Sequence, residues 1–367
     1  MPEVKELKGV DVAGSATAKD TRKDFFIQWH LTDRCNLSCR HCYQIGPSRP
    51  EMHLSTAREI IDEVSDMLED WSERYDIHFT PSFNITGGEP FLREDLFEIL
   101  TAVKQRGFEV YLLTNGTVID AEKAAKLRPV VDGVQVSVEG PEAVHDSVRG
   151  KGTFQKAVRG VERLLAEDIN VSLNVTIFRL NMTHLSGLFN LGSRLGVRRI
   201  GFSRLVPSGQ GKKLADLMLE PDEVRDVYAF LLGLKDQKTE TGTGDPIASL
   251  LQDNNTDDDA GDVPVSGCAA GVSGLTVLPD GTLTPCRRLP IPIGNVNHDS
   301  IRQIWSESPV LNLLRDRSSY TGECGSCSRW AVCRGCRAIA YARSKGPHGF
   351  LGGDPQCFSK SRLAAKQ

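Results

Sequence analysis

No apolar run in the 367 residues approaches the length that crosses a bilayer, and the opening MPEVKELKGVDVAG alternates charges with small side chains where a secretory signal needs a hydrophobic stretch. A cytoplasmic chain with no membrane partner is expected. Any long Lys/Arg cluster is also missing: 44 basic against 48 acidic residues leave a formal charge of -4 and a pI near 6.1. A phosphate backbone would meet little attraction, so nucleic acid is not an expected partner. Aromatics are sparse at 7%, yet 40% apolar and 25% charged residues suffice for one large domain plus a smaller one.

Cysteine is what the chain has in quantity, ten in all. In a reducing compartment they argue against structural disulfides, and their clustered spacing points to metal or redox chemistry.

Along the chain, strand-like and helix-like segments alternate. Strands are expected at 25–30, 82–86, 109–113, 133–138, 171–177 and 199–203, and helices at 55–71, 93–106, 153–166, 184–195 and 223–234. In the first helix Ala57, Ile60, Ile61, Val64, Met67, Leu68 and Trp71 recur at steps of three and four, which gives one face to pack on a sheet. Repeated βα units imply a parallel sheet covered by helices, because a parallel return needs a crossover. About six units fit before residue 205, an open, partial (β/α)6 barrel in an α/β fold. The expected division is a flexible arm at 1–23, the barrel at 24–234, an acidic linker at 235–265 containing Asp257, Asp258 and Asp259, and a small Cys-rich domain at 266–367 with one helical stretch at 301–315.

Cys35, Cys39 and Cys42 follow the first strand in a C-x3-C-x2-C spacing, at the strand end where parallel α/β enzymes keep their active sites. Three thiolates can hold three irons of a 4Fe-4S cubane and leave the fourth open. Zinc is the alternative, with His41 inside the triplet as the nearest fourth ligand. The segment resembles the signature of the radical S-adenosylmethionine (radical SAM) superfamily. Here His41 precedes the last Cys and Tyr43 follows it, as is common in relatives with a SPASM domain.

The resemblance extends to Thr86-Gly87-Gly88-Glu89-Pro90, similar to the GGEP motif that binds the methionine amino group of the cofactor. Glycines permit close backbone approach to the ligand, Glu89 offers an acceptor, and Pro90 fixes the turn. Ser137 and Arg149 look like the family's strand-end serine and downstream arginine, which implies cofactor contact by Ser137 and carboxylate contact by Arg149; Glu139 stands where Asp is usual. Tyr43 is expected at the cofactor too. Thr114-Asn115-Gly116 resembles the family's strand-end turn and speaks more to the fold than to chemistry.

Seven cysteines remain, and their pattern is similar to the SPASM domain. By that resemblance Cys324, Cys327, Cys333 and Cys357 ligate one auxiliary cluster, and Cys268, Cys286 and Cys336 hold another with three thiolates. The last C-x2-C gap is one residue shorter than usual. Zinc bound by the two C-x2-C pairs is again the alternative.

The resemblance thus implies three 4Fe-4S clusters, S-adenosylmethionine, and a reductant such as flavodoxin or ferredoxin. An electron passed into the sulfonium would give a 5'-deoxyadenosyl radical that removes a substrate hydrogen, with no catalytic acid or base. Auxiliary clusters imply either an oxidative outcome, in which the substrate radical loses an electron to them, or a substrate thiol bound at the open iron. The first-choice substrate is a ribosomal peptide or protein, the second a porphyrin side chain in haem synthesis, and the choice from another class is a non-catalytic electron carrier. A sulfatase-maturing role is disfavoured because Arg287 stands where that group has Asp. Lys212 and Lys213, or Arg287 and Arg288, are candidate contacts for substrate carboxylates. The short arm leaves no room for a leader-binding domain, so a separate recognition protein or direct docking is expected.

Overall fold

The computed structural model describes residues 22–44, 46, 48–234, 236, 238–251 and 261–359. Seven strands lie side by side in chain order: β1 (Arg22–His30), β2 (His78–Thr86), β3 (Glu109–Thr114), β4 (Gly133–Ser137), β5 (Val171–Ile177), β6 (Arg199–Arg204) and β7 (Glu240–Gly242). Each pairs in parallel with the next, which requires a crossover at every step. The crossovers carry α1 (Leu54–Tyr75), α2 (Leu96–Gln105), α3 (Ala121–Leu127), the pair α4 (Glu142–Arg149) and α5 (Thr153–Ala166), α6 (Leu185–Leu195) and α7 (Pro221–Gly233). The expected partial α/β barrel is formed, with a short seventh strand added. Among the described residues no helix is long and apolar enough to cross a membrane.

The two faces of this sheet differ in chemistry because side chains alternate along a strand. On one face the register aligns Ile27, Phe83 and Val110, then Trp29, Ile85, Leu112, Val134 and Val171, then Val136, Leu173 and Ile200. All belong to the main core, together with the expected apolar face of α1. The intervening residues include Gln28, His30, Asn84, Gln135, Ser137, Asn174, Thr176 and Ser203. The sheet thus has one apolar face in the main core and an inner face that carries mostly polar side chains.

The Cys-rich segment extends this sheet. β8 (Gly274–Val277) pairs in parallel with the free edge of β1, and β9 (Thr282–Thr284) and β10 (Gly294–Asn295) follow antiparallel. Gly274 is required there: a Cβ would lie 2.3 Å from the Phe26 carbonyl oxygen.

Several expectations change. The linker at 235–265 contributes β7 and a turn, Pro246–Leu251, that buries Ile247, Ala248 and Leu250. A three-residue edge strand of Glu, Thr and Gly carries no alternation that sequence could reveal. Asp257, Asp258 and Asp259 lie outside the described residues, as does the arm apart from Arg22 and Lys23, which begin β1. The helix expected at 301–315 is two, α8 (Ile301–Glu307) and α9 (Pro309–Arg315). Pro309 cannot donate into a continuing helix, and the Ser308 hydroxyl caps α9 by accepting from Leu311 N at 3.5 Å. α3 and α4 escape the periodicity because each makes only about two turns.

Candidate active site

The first cysteine loop is held against the GGEP turn by backbone. Gly88 N donates to Thr32 O at 2.7 Å and Glu89 N to Arg34 O at 2.8 Å. A Cβ on Gly87 would sit 2.3 Å from Thr32 O, and one on Gly88 2.1 Å from Arg34 O. The close approach that demands these glycines is therefore to the residues just before Cys35, which gives them a role in placing the loop. Cys35, Cys39 and Cys42 lie within electrostatic reach of one another. Leu37 N lies 3.4 Å from the Cys35 sulfur, Asn115 Nδ2 3.9 Å from the same sulfur, and Arg149 Nη1 3.9 Å from that of Cys39. Burial pushes the Cys39 thiol up to about 11. Three such sulfurs become thiolates together only when a cation joins them, so the donor set fits an iron-sulfur group.

Glu89 is fully buried. Its Oε1 accepts from the Thr114 hydroxyl at 2.8 Å and its Oε2 from Asn115 N at 2.9 Å, while burial pushes the carboxyl up to about 7. The TNG turn, expected to speak more to the fold than to chemistry, thus ties GGEP to the cysteine loop, since Asn115 also reaches Cys35. Arg149 ends α4 and pairs with Glu139, whose Oε1 lies 2.9 Å from Nε and 2.5 Å from Nη2. His41 Nε2 stands 3.2 Å from the same oxygen, and Glu139 Oε2 accepts from Thr176 N at 2.8 Å. Burial alone would raise the Glu139 carboxyl, but the Arg149 and His41 charges hold it well below the usual range. Arg149 is therefore engaged by Glu139 beside Cys39, a partnership that spacing did not reveal. Tyr43 folds back so that its hydroxyl lies 3.3 Å from His30 Nε2, and burial pushes that hydroxyl up to about 12. Ser137 ends β4 opposite Asn174 on the polar face.

The seven other cysteines fall into two groups. Cys324, Cys327, Cys333 and Cys357 line one hollow with Trp330, Asp354 and Ser359. Burial pushes Cys333 up to about 12; Gly335 N lies 3.3 Å from its sulfur, and Arg337 Nη2 lies 3.5 Å from that of Cys324. Cys336 is within electrostatic reach of Cys268, and Arg288 adjoins both Cys336 and Cys286. Among the described residues no three His, Cys, Asp or Glu side chains are placed to hold a single metal ion, and the four thiols line one shared hollow.

A buried hub next to these groups was not foreseen. Arg204, at the end of β6, donates to both Asp245 oxygens at 2.7 and 2.9 Å and to the Asp354 oxygens at 3.1 and 2.8 Å. Tyr228 donates to Asp245 at 2.8 Å, and Asp354 accepts from Cys336 N at 2.8 Å. The partners come from segments far apart in sequence, and no local pattern announces them.

Comparison with known proteins follows this geometry. The profile of the radical SAM superfamily matches residues 29–191, and that of an iron-sulfur cluster-binding domain, SPASM, matches 268–337. An AdoMet-dependent heme synthase of Methanosarcina barkeri is 32% identical over 90% of this chain and 95% of its own. A mycofactocin maturase, MftC, of Mycobacterium tuberculosis is 33% identical over 90% of this chain and 82% of its own. Among solved structures, anSMEcpe with bound AdoMet superposes with a TM-score of 0.69 at 17% identity, covering 94% of this chain and 95% of that one. SuiB of Streptococcus suis bound to its precursor peptide SuiA gives 0.67 at 15% identity, covering 91% and 76%; both show likeness of fold. With its three-thiol loop, GGEP turn and C-terminal thiol groups, the chain belongs to the radical SAM superfamily, as an enzyme of its SPASM-bearing branch.

Proposed function

We propose that this enzyme cleaves S-adenosylmethionine reductively and uses the radical to modify a ribosomally made peptide or protein oxidatively. The observation that carries the reading is the placing of the three-thiol loop and the GGEP turn at the strand ends above a polar inner face, with separate thiol groups beyond. Cys35, Cys39 and Cys42 would hold the catalytic cluster; Cys324, Cys327, Cys333 and Cys357 one auxiliary cluster; and Cys268, Cys286 and Cys336 another with an open position. Gly87, Gly88, Glu89, Ser137, Arg149 and Tyr43 would surround the cofactor. Bound together, cluster and S-adenosylmethionine supply a 5'-deoxyadenosyl radical that abstracts hydrogen. The chain's own work is to fix the sulfurs, keep Glu139 ionised beside Cys39, and shield the inner face from water. A flavodoxin or ferredoxin supplies electrons in the cytoplasm, and the peptide docks directly or through a recognition protein.

Likeness to the mycofactocin maturase supports the peptide. The second reading, a tetrapyrrole side chain, is favoured by the heme synthase, 95% of whose length is matched against 82% of the maturase.

The test is iron and acid-labile sulfide per chain after anaerobic reconstitution, for the wild type and for a variant with Cys35, Cys39 and Cys42 all changed to Ala. About twelve irons should fall to about eight, and only the wild type should release 5'-deoxyadenosine with dithionite. About four irons falling to none would remove the auxiliary clusters, and no 5'-deoxyadenosine would leave an electron carrier.

A further inference from the structure

The cations around the barrel interior are nearly all matched. Arg149 pairs with Glu139, Arg49 with Asp33 at 2.9 Å, and Arg204 with Asp245 and Asp354. Arg288 lies against Cys286 and Cys336, whose thiolates would balance it. Arg287 is different. It follows Cys286 directly, is half-buried, and donates at 2.9 Å to the neutral Gln28 Oε1, on the polar inner face of β1. Among the described residues no carboxylate oxygen lies within ion-pair distance of it.

Two further cations lie nearby, Arg49 and Arg288, each already matched as above. The Arg287 charge reaches both His30 and Tyr43, the two groups that face each other at the end of β1. His30 is only 2% exposed, and burial, with the Arg287 and Arg49 charges, lowers it to about 3, so it is neutral near pH 7. A half-buried guanidinium without a counter-ion forgoes both hydration and pairing, and a fork of donors suits a planar carboxylate.

We infer that Arg287 anchors a carboxylate of the substrate inside the barrel, between the first cysteine loop and Cys286. This rests on the reading of the chain as a radical enzyme and narrows its substrate to an acid. The same chemistry has two sources, a propionate of a tetrapyrrole and a carboxylate of a peptide. Lys212 and Lys213, the other basic pair, are exposed in the turn Gly209–Leu217 and serve as the control.

The reconstituted enzyme with S-adenosylmethionine is titrated in two arms, with iron coproporphyrin III against its tetramethyl ester, and with a short peptide bearing a free C-terminal carboxylate against its amide. In one arm the acid should bind more tightly by roughly ten- to a hundredfold, the worth of a charge-assisted hydrogen bond, and that arm names the source. Arg287→Gln should abolish the difference with cluster iron retained, Arg287→Lys should restore part of it, and Lys212→Gln should leave it intact. An acid preference that survives Arg287→Gln, or none in either arm, overturns the inference. Absence of 5'-deoxyadenosine from the wild type would instead overturn the enzyme reading, whatever the titrations give.

Discussion

His30 shows how one side chain carries both a fold constraint and a chemical one. Its folded value of about 3 lies below an ordinary histidine near 6.5, so below 6.5 the unfolded chain takes up a proton that the folded chain refuses. The stability it contributes is complete above pH 6.5 and is lost as pH falls toward 3, by about 1.4 kcal/mol per pH unit. Thermal melts between pH 7.5 and 5.5 should show the wild type losing more stability than His30→Gln, and parallel losses would refute this. At this scale the cysteines were legible because their spacing is local. The partners of Glu89 and Arg149 were not, because Thr114, Asn115 and Glu139 reach them only through the folded sheet.

Among the elements, the end of β6 links the most pieces. Arg204 joins the turn after β7 to the loop carrying Cys357, and Asp354 in that loop also fixes the backbone of Cys336. Arg204→Met would leave two buried carboxylates without their cation, a loss of roughly 3–5 kcal/mol. Reconstituted iron should then fall from about twelve per chain toward about four, because both auxiliary groups lose their placing while the first loop keeps its own. Unchanged iron would show that the hub serves the barrel alone. The strand at 171–177 was legible to its ends because its buried positions alternate without a break. β7, β9 and β10, of two or three residues each, are too short for any period to show.

For the whole molecule, the sequence divided the chain into barrel and Cys-rich part by composition, which cannot show that both share one sheet. β8 pairs with β1, the ring of Trp305 packs edge-on against Phe25 at 5.0 Å, and Phe358 joins the barrel's core. A chain ending at residue 251 would bare that edge and those apolar surfaces. It should be recovered as aggregate, and soluble yield with size-exclusion elution is the check; a soluble monomer would show that the barrel stands alone.

The pairing of β1 with β8 also sets an order in time. As the chain leaves the ribosome, β1 can meet β2 early, but its second neighbour is not made until most of the protein has been synthesised, and closing so long a loop is slow. The strand that leads into Cys35 therefore keeps one edge open through most of synthesis. Until residues 274–277 are made, no strand of this chain closes the edge beside the first cysteine loop.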